Sequence, residues 1–272
     1  MNTLVLIIGK ESNLSTQLDK KIKNSIVLSA RELQEDIEIL AQYQTQKLSI
    51  ILNNFQSATQ LGCLHDVESY IANSIGLTSK VLAYIKDFHI EKIIYTSSSS
   101  VYGNNILCKE SDELKPMNLH ASLKVANEKL IERYCTEHKI DYTITRIFNM
   151  YGGDDKFSVI SKIINAYKKN EVLTIVNHGN AIRDFIHISD VVDIYAKLFF
   201  INVDILNIGT GEGISIKSLL DFLQYRGVYL KVENITSQEL KISTADNSRI
   251  RHILGMERFR KVEDYIARVL SL

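Results

Sequence analysis

The sequence predicts an α/β protein, a doubly wound parallel sheet carrying a small C-terminal α/β lobe, on three observations. Short, unbroken apolar runs recur along the chain, helix-compatible polar stretches separate them, and this rhythm breaks into shorter pieces after about residue 150. An unbroken apolar run suits a strand covered on both faces, as in a parallel sheet.

Taken in order, Thr3–Gly9 (TLVLIIG) is the first such run, and helix-compatible sequence follows from Asn13 to Lys23. Ser25–Ser29 (SIVLS) and Leu48–Leu52 (LSIIL) read as the second and third strands. Asp66 to Phe88 has the pattern of a long amphipathic helix. Glu91–Thr96 is a fourth strand, Ala121–His138 a helix and Tyr142–Ile147 a fifth strand. Beyond that point the pieces shorten. Lys156–Lys169, Val191–Phe200 and Ile216–Gln224 read as helices, and Leu173–Val176, Arg183–Ile188, Ile205–Ile208 and Tyr229–Glu233 as strands. No internal repeat or low-complexity linker interrupts the chain, and its one proline, Pro116, marks no boundary.

With 272 residues, 45% of them hydrophobic, the chain can bury a sizeable core. Thirty-two basic residues balance 32 acidic ones, so nucleic acid and membrane surfaces are not expected partners. Cys63, Cys108 and Cys135 are odd in number and widely spaced, which argues against a disulfide frame or a zinc site and predicts free thiols in a reducing cytoplasm. The apolar start lacks the basic head and cleavage site of a signal peptide, and no run approaches the ~20 apolar residues of a membrane helix.

The turn after the first strand reads Gly9-Lys10-Glu11-Ser12-Asn13-Leu14-Ser15. Backbone N–H groups at such a helix start can hold a dinucleotide pyrophosphate, making Gly9, Ser12, Asn13 and Leu14 the candidate cofactor loop. Of three glycines at a GxxGxxG spacing only Gly9 is present; Ser12 and Ser15 take the other two places, and serine does not adopt positive φ cheaply. The second strand ends in Ser29-Ala30-Arg31 with no acidic residue for the adenosine ribose. A serine and an arginine suit a 2′-phosphate, so Ser29 and Arg31 favour NADP(H) over NAD(H), with a solvated Arg31 as the bland reading.

The richest stretch contains Tyr95-Thr96-Ser97-Ser98-Ser99-Ser100-Val101-Tyr102-Gly103, then His120-Ala121-Ser122-Leu123-Lys124-Val125-Ala126-Asn127-Glu128, then Arg146-Ile147-Phe148-Asn149. Two more blocks follow in order, Arg183-Asp184-Phe185-Ile186-His187 and Asn207-Ile208-Gly209-Thr210-Gly211. With these five blocks the chain resembles the sugar-nucleotide epimerase, dehydratase and reductase branch of the extended short-chain dehydrogenases over nearly its whole length.

The resemblance implies a Rossmann-type dinucleotide-binding domain over residues 1–150, joined by later elements near 182–208, and a substrate lobe made of 151–181 and 209–272. It implies a nicotinamide cofactor, a nucleotide-diphosphate sugar as substrate, cytoplasmic work in polysaccharide biosynthesis, and a homodimer built on the helices at 66–88 and 121–138. Ser98 then matches the hydroxyl that anchors the reacting sugar oxygen, with Ser99 beside it. Lys124 matches the lysine on the nicotinamide ribose, Asn149 a residue near the diphosphate, and Arg183 an arginine on the nucleotide phosphates. Arg183 could instead pair with Asp184 or Asp190.

Two departures shape the expected chemistry. The family's YxxxK pair should place tyrosine at position 120, where this chain has His120. Four residues apart, His120 and Lys124 still share a helix face, and an imidazole lowered in pKa by the lysine would replace a phenol as acid and base. The acidic pair that dehydratases carry after the Ser98 position is Ser99-Ser100 here, which argues against dehydration. What remains is hydride transfer at C4 of a nucleotide-linked sugar, as reductase or epimerase. The alternative is a catalytically degenerate family member that binds cofactor or nucleotide sugar without turnover. Before Ala245-Asp246 a second nucleotide-binding arginine is missing, with Lys241 or Arg249 as substitutes.

Overall fold

The computed structural model describes residues 3–54 and 67–272. Strand β1 (Leu4–Ile8) leads into α1 (Asn13–Lys21), β2 (Ser25–Leu28), α2 (Ala30–Glu35), a 3₁₀ turn at Ile37–Tyr43 and β3 (Lys47–Leu52). Helices α3 (Val67–Ile71) and α4 (Leu77–Tyr84) flank a π turn at Ala72–Gly76, and β4 (His89–Ser98), β5 (Asn105–Cys108), α5 (Leu119–His138) and β6 (Asp141–Ile147) follow. The rest comprises β7 (Asn149–Tyr151), α6 (Val159–Lys169), β8 (Leu173–Val176), β9 (Ile182–His187), α7 (Ile188–Leu198), β10 (Ile205–Ile208), β11 (Gly213–Ser215), α8 (Ile216–Tyr225), β12 (Val232–Ile235), β13 (Ile242–Ala245), α9 (Ser248–Leu254) and α10 (Val262–Leu270).

The chain divides into two compact units. The first combines Met1–Val101, Pro116–Arg146 and Val192–Leu206. Its sheet has the order β10-β6-β4-β3-β1-β2, with β1 parallel to both β2 and β3, and β3 parallel to β4. The order reverses between β1 and β3, so their C-terminal ends flank a topological switch point, where α/β sheets bind ligands. Fully buried Leu6, Ile8, Leu48, Ile50 and Ile93 explain the unbroken apolar runs, and α4 and α5 cover them with Leu77, Val81 and Ile131. This is the doubly wound Rossmann-type sheet that the sequence predicts.

The second unit combines Tyr102–Lys115, Ile147–Val191 and Asn207–Leu272. Its main sheet has the order β11-β9-β13-β5, with β7 beside β9. A separate core of Ile160, Ile163, Leu219, Leu223 and Ile266 packs α6, α8 and α10. Residues 192–206 are the returning segment of the first unit; β9, expected there with the rest of 182–208, pairs inside the second unit.

Local chemistry sets several boundaries. The Asn118 side chain accepts from the Ala121 N–H and starts α5 two residues earlier than the apolar pattern does, and Lys139 in a left-handed conformation ends it. Ser158 and Ser215 cap α6 and α8 in the same way. The expected continuous helix over 66–88 is instead broken by the π turn, and Asp66 lies outside the described residues. The Asn54 amide donates to the carbonyls of Asn73 and Ser74, at 3.4 and 3.2 Å, and competes with the helical ladder there. The strand expected at Tyr229–Glu233 forms later, at Val232–Ile235, where it pairs in parallel with β8.

Cys108 and Cys135 are free and buried, and burial pushes their thiols up to about 11 and about 12. Cys63 lies outside the described residues. Among those residues no helix is long and apolar enough to cross a membrane.

Candidate functional site

At the switch point Gly9 has φ +129°, and a Cβ there would stand 2.3 Å from the carbonyl oxygen of Asn53, which follows β3. Only glycine allows that approach. Ser12, the N-cap of α1, has φ −81°, an ordinary extended conformation, so the serine at the second loop position carries no backbone strain. The buried Asn53 amide donates to the hydroxyls of both Ser12 and Ser15, at 2.8 Å each. With its hydroxyl turned to Asn53, Ser12 does not cap the first turn formed by Asn13, Leu14 and Ser15. The N-terminus of α1 follows the Gly9 turn at the C-terminal end of β1, and a helix start in that place suits a pyrophosphate.

Ser29 is the N-cap of α2, its hydroxyl accepting from Glu32 N–H at 3.3 Å. Arg31 lies in the first turn of α2, with its side chain 89% exposed and paired to Glu35 at 3.3 Å. Both residues therefore have ordinary structural employment, and neither forms a built 2′-phosphate site.

His120 and Lys124 share the buried face of α5, as their spacing predicts. The Lys124 ammonium donates to the Thr96 carbonyl at the end of β4, 2.5 Å away, and lies 4.8 Å from the centre of the Tyr95 ring. Desolvation lowers its pKa to about 7, with Glu128 opposing. His120 is 8% exposed, and burial followed by the Lys124 charge lowers its pKa to about 4. A neutral imidazole is the resting form near pH 7. Nδ1 of His120 lies 3.4 Å from the hydroxyl of Tyr70 in α3.

Ser98 ends β4, and its oxygen accepts from the Ser100 amide at 3.2 Å and lies 3.0 Å from the Ser100 hydroxyl. Ser99 is buried next to it. Beneath them the Ser97 hydroxyl donates to Glu128, which forms a buried ion pair with Arg146 at 2.8 Å. One carboxylate thus ties the end of β4, the helix bearing His120 and Lys124, and β6.

In the second unit Asn149 on β7 donates through its amide to the Asp184 carbonyl at 3.1 Å, which docks it on β9. Arg183 on β9 pairs with Glu239 at 3.2 Å and donates to the Leu240 carbonyl at 2.5 Å. The partner is therefore neither Asp184 nor Asp190. Asp184 is fully buried and accepts from Thr210 N–H and hydroxyl, Gly211 N–H and Ala245 N–H. Asp190 pairs with Arg260. Each acidic neighbour is committed elsewhere, which leaves Glu239 facing Arg183.

Residues 28–209 match the family model "NAD dependent epimerase/dehydratase family". The chain belongs to that family. That family is one of NAD-dependent epimerases and dehydratases. It is 26% identical to the UDP-glucuronate 4-epimerase of Thermodesulfobacterium geofontis over 84% of this chain and 73% of that one. It is 30% identical to the human dTDP-D-glucose 4,6-dehydratase over 71% of this chain and 57% of that one. The chain spans between 44% and 74% of the length of the curated relatives considered. The UDP-glucuronic acid 4-epimerase from Bacillus cereus, solved in complex with UDP-glucuronic acid and NAD, superposes with a TM-score of 0.85 at 20% identity, covering 97% of this chain and 96% of that one. At that identity the likeness establishes the fold.

The family match begins at residue 28, after the Gly9–Ser15 loop, so the loop where this chain departs most lies outside it. The preference for NADP(H) expected from Ser29 and Arg31 finds no support: the cap and the ion pair account for both residues, and NAD is the cofactor in the B. cereus complex. Four residues of the site were not singled out from the sequence. Asn53 had a signal, a polar residue directly after an apolar strand. Glu239 stands within the stretch where a second arginine was sought. Glu128 stands at the end of the Lys124 block, but its pairing with Arg146, 18 positions away, is not legible there, and Tyr70 had no signal, because its partner lies 50 positions along the chain.

Proposed function

We propose that this protein is a nicotinamide-dependent reductase or epimerase acting at C4 of a nucleotide-linked sugar. The observation that carries the reading is the buried His120–Lys124 pair on one face of α5, with the lysine fastened to the end of β4. A bound nicotinamide supplies or accepts hydride. Gly9, Ser12, Asn13 and Leu14 hold its pyrophosphate at the start of α1, with Ser29 and Arg31 at the adenosine end. Lys124 donates to the nicotinamide ribose, and a pKa of about 7 lets it release a proton at neutral pH. Ser98, with Ser99 beside it, anchors the sugar oxygen; Asn149 and Arg183 receive the nucleotide diphosphate. Ser99 and Ser100 supply no general acid for dehydration. The same reading includes a homodimer through the helical segments at 66–88 and 121–138, and work in cytoplasmic polysaccharide biosynthesis.

Calorimetry with NAD, NADH and NADPH, followed by turnover of UDP- and dTDP-linked 4-keto sugars, tests the reading. Micromolar cofactor binding with hydride transfer supports it, and absence of nicotinamide binding overturns it. His120→Tyr should raise the rate if the rest of the site is intact. The second reading, binding without turnover, draws on the engagement of Arg183 by Glu239, and light scattering checks the dimer.

A further inference from the structure

Burial, and after it the Lys124 charge, lower the His120 pKa and disfavour a cationic acid near neutral pH. A neutral imidazole can still pass a proton if one nitrogen receives as the other releases. Tyr70 supplies the missing half. Its side chain is 5% exposed, and among the described residues its hydroxyl's partner is Nδ1 of His120. A buried phenol O–H needs an acceptor, and among the described residues Nδ1 of His120, 3.4 Å away, is in reach. Burial raises the Tyr70 phenol to about 12, so it keeps its proton at rest. Accepting at Nδ1 places the ring proton of His120 on Nε2.

We propose that Tyr70 is a positioning residue that feeds the reaction's proton through His120: its hydroxyl locks the ring in the Nε2–H form and refills Nδ1 as Nε2 releases its proton to the substrate alkoxide. This rests on the hydride-transfer reading above. The bonds balance. Tyr70 Oη–H breaks and Nδ1–H forms; Nε2–H breaks and the product O–H forms. The reductant is a reduced nicotinamide dinucleotide. The imidazole stays neutral and the negative charge passes from alkoxide to phenolate; Nδ1–H then returns its proton to the phenolate while Nε2 takes one from water, leaving hydroxide, which restores the Nε2–H ring. An alkoxide is a stronger base than a phenolate, so the relay delivers a proton more readily than it removes one and favours ketone reduction. The tyrosine absent from position 120 of the helix is thus replaced in space by one from α3, next to a π turn. The charged and titratable groups facing the pair are Lys124 on α5 beside His120 and Tyr95 on β4 beside Tyr70, with Glu128 next to Lys124.

Two readouts test this. In the cofactor-free protein, ¹⁵N NMR of the His120 ring should show Nδ1 as acceptor and Nε2 protonated, and Tyr70→Phe should mix the tautomers. An Nδ1-protonated ring, or a spectrum unchanged by Tyr70→Phe, overturns the pairing and leaves the hydride-transfer reading standing. In single-turnover reduction with NADH and a UDP-4-keto sugar, the rate should be flat from pH 5 to 6, above the His120 pKa of about 4 and below the Lys124 pKa of about 7, and drop about 100-fold in Tyr70→Phe, with NADH affinity unchanged. A rate that falls over that pH range, or an equal rate in Tyr70→Phe, overturns the relay. Absence of turnover by the unaltered protein overturns the hydride-transfer reading and the delivery step together, whereas the NMR result still decides the pairing. If Tyr70→Phe does not fold, difluorotyrosine placed at position 70 keeps the hydroxyl and should move the alkaline limb of the rate downward; an unmoved limb overturns the relay.

Discussion

Glu239 holds Arg183 at 3.2 Å, with the arginine side chain 16% exposed. On the proposal that Arg183 receives the nucleotide diphosphate, this carboxylate neutralises it before ligand arrives. A diphosphate must displace the carboxylate or share the guanidinium with it. Glu239→Gln should therefore tighten UDP or dTDP binding by about tenfold, on the order of 1–2 kcal/mol, and Arg183→Ala should weaken it. Calorimetry of both variants with each nucleotide diphosphate checks this; unchanged affinity in Glu239→Gln would mean that the pair does not compete with ligand.

The Asn53 amide holds Ser12 and Ser15 together at the switch point. Asn53→Ala leaves two hydroxyls without their donor and should cost about 1–3 kcal/mol in urea unfolding. Ser12→Gly, which restores the loop glycine, relieves no strain because position 12 is already extended. It should leave NAD affinity within about threefold and lower stability by less than about 1 kcal/mol.

Glu128 and Arg146 are both almost wholly buried, and Ser97 completes their network. Removing one partner strands the other charge away from water. Glu128→Ala should destabilise the protein by about 3–5 kcal/mol and disturb the His120–Lys124 face. The double variant Glu128→Leu/Arg146→Met should recover much of that loss, and denaturant midpoints of the single and double variants make the comparison.

His120 has a folded pKa of about 4 against an ordinary value of 6.5. Between those values the unfolded chain binds the proton and the folded chain does not, so the stability tied to this residue is present above pH 6.5 and is lost as pH falls towards 4. The loss from His120 alone is about 3 kcal/mol. His120→Gln should remove that part of the acid sensitivity, seen as a shallower fall of the urea midpoint between pH 6.5 and 4 than in the unaltered protein.

The strands were legible in the sequence because β1, β3 and β4 are covered on both faces, and only unbroken apolar runs satisfy that environment. The strands β5 (NILC), β7 (NMY), β11 (GIS) and β13 (ISTA) were not, because no apolar run marks them and their pairing is decided by distant partners. The π turn escaped for a similar reason: the carbonyls that Asn54 claims lie about twenty residues away.

By itself the sequence determined the sheet-and-helix alternation, the family, and the register that sets His120 and Lys124 on one face of α5, since apolar runs and i, i+4 spacing are local properties. Only the tertiary structure decided what those side chains meet. Tyr70 reaches His120, Asn53 binds the two loop serines, and Glu239 answers Arg183, across separations of 50, 41, 38 and 56 residues. Burial lowers the pKa values of His120 and Lys124, and burial exists only once the chain has packed.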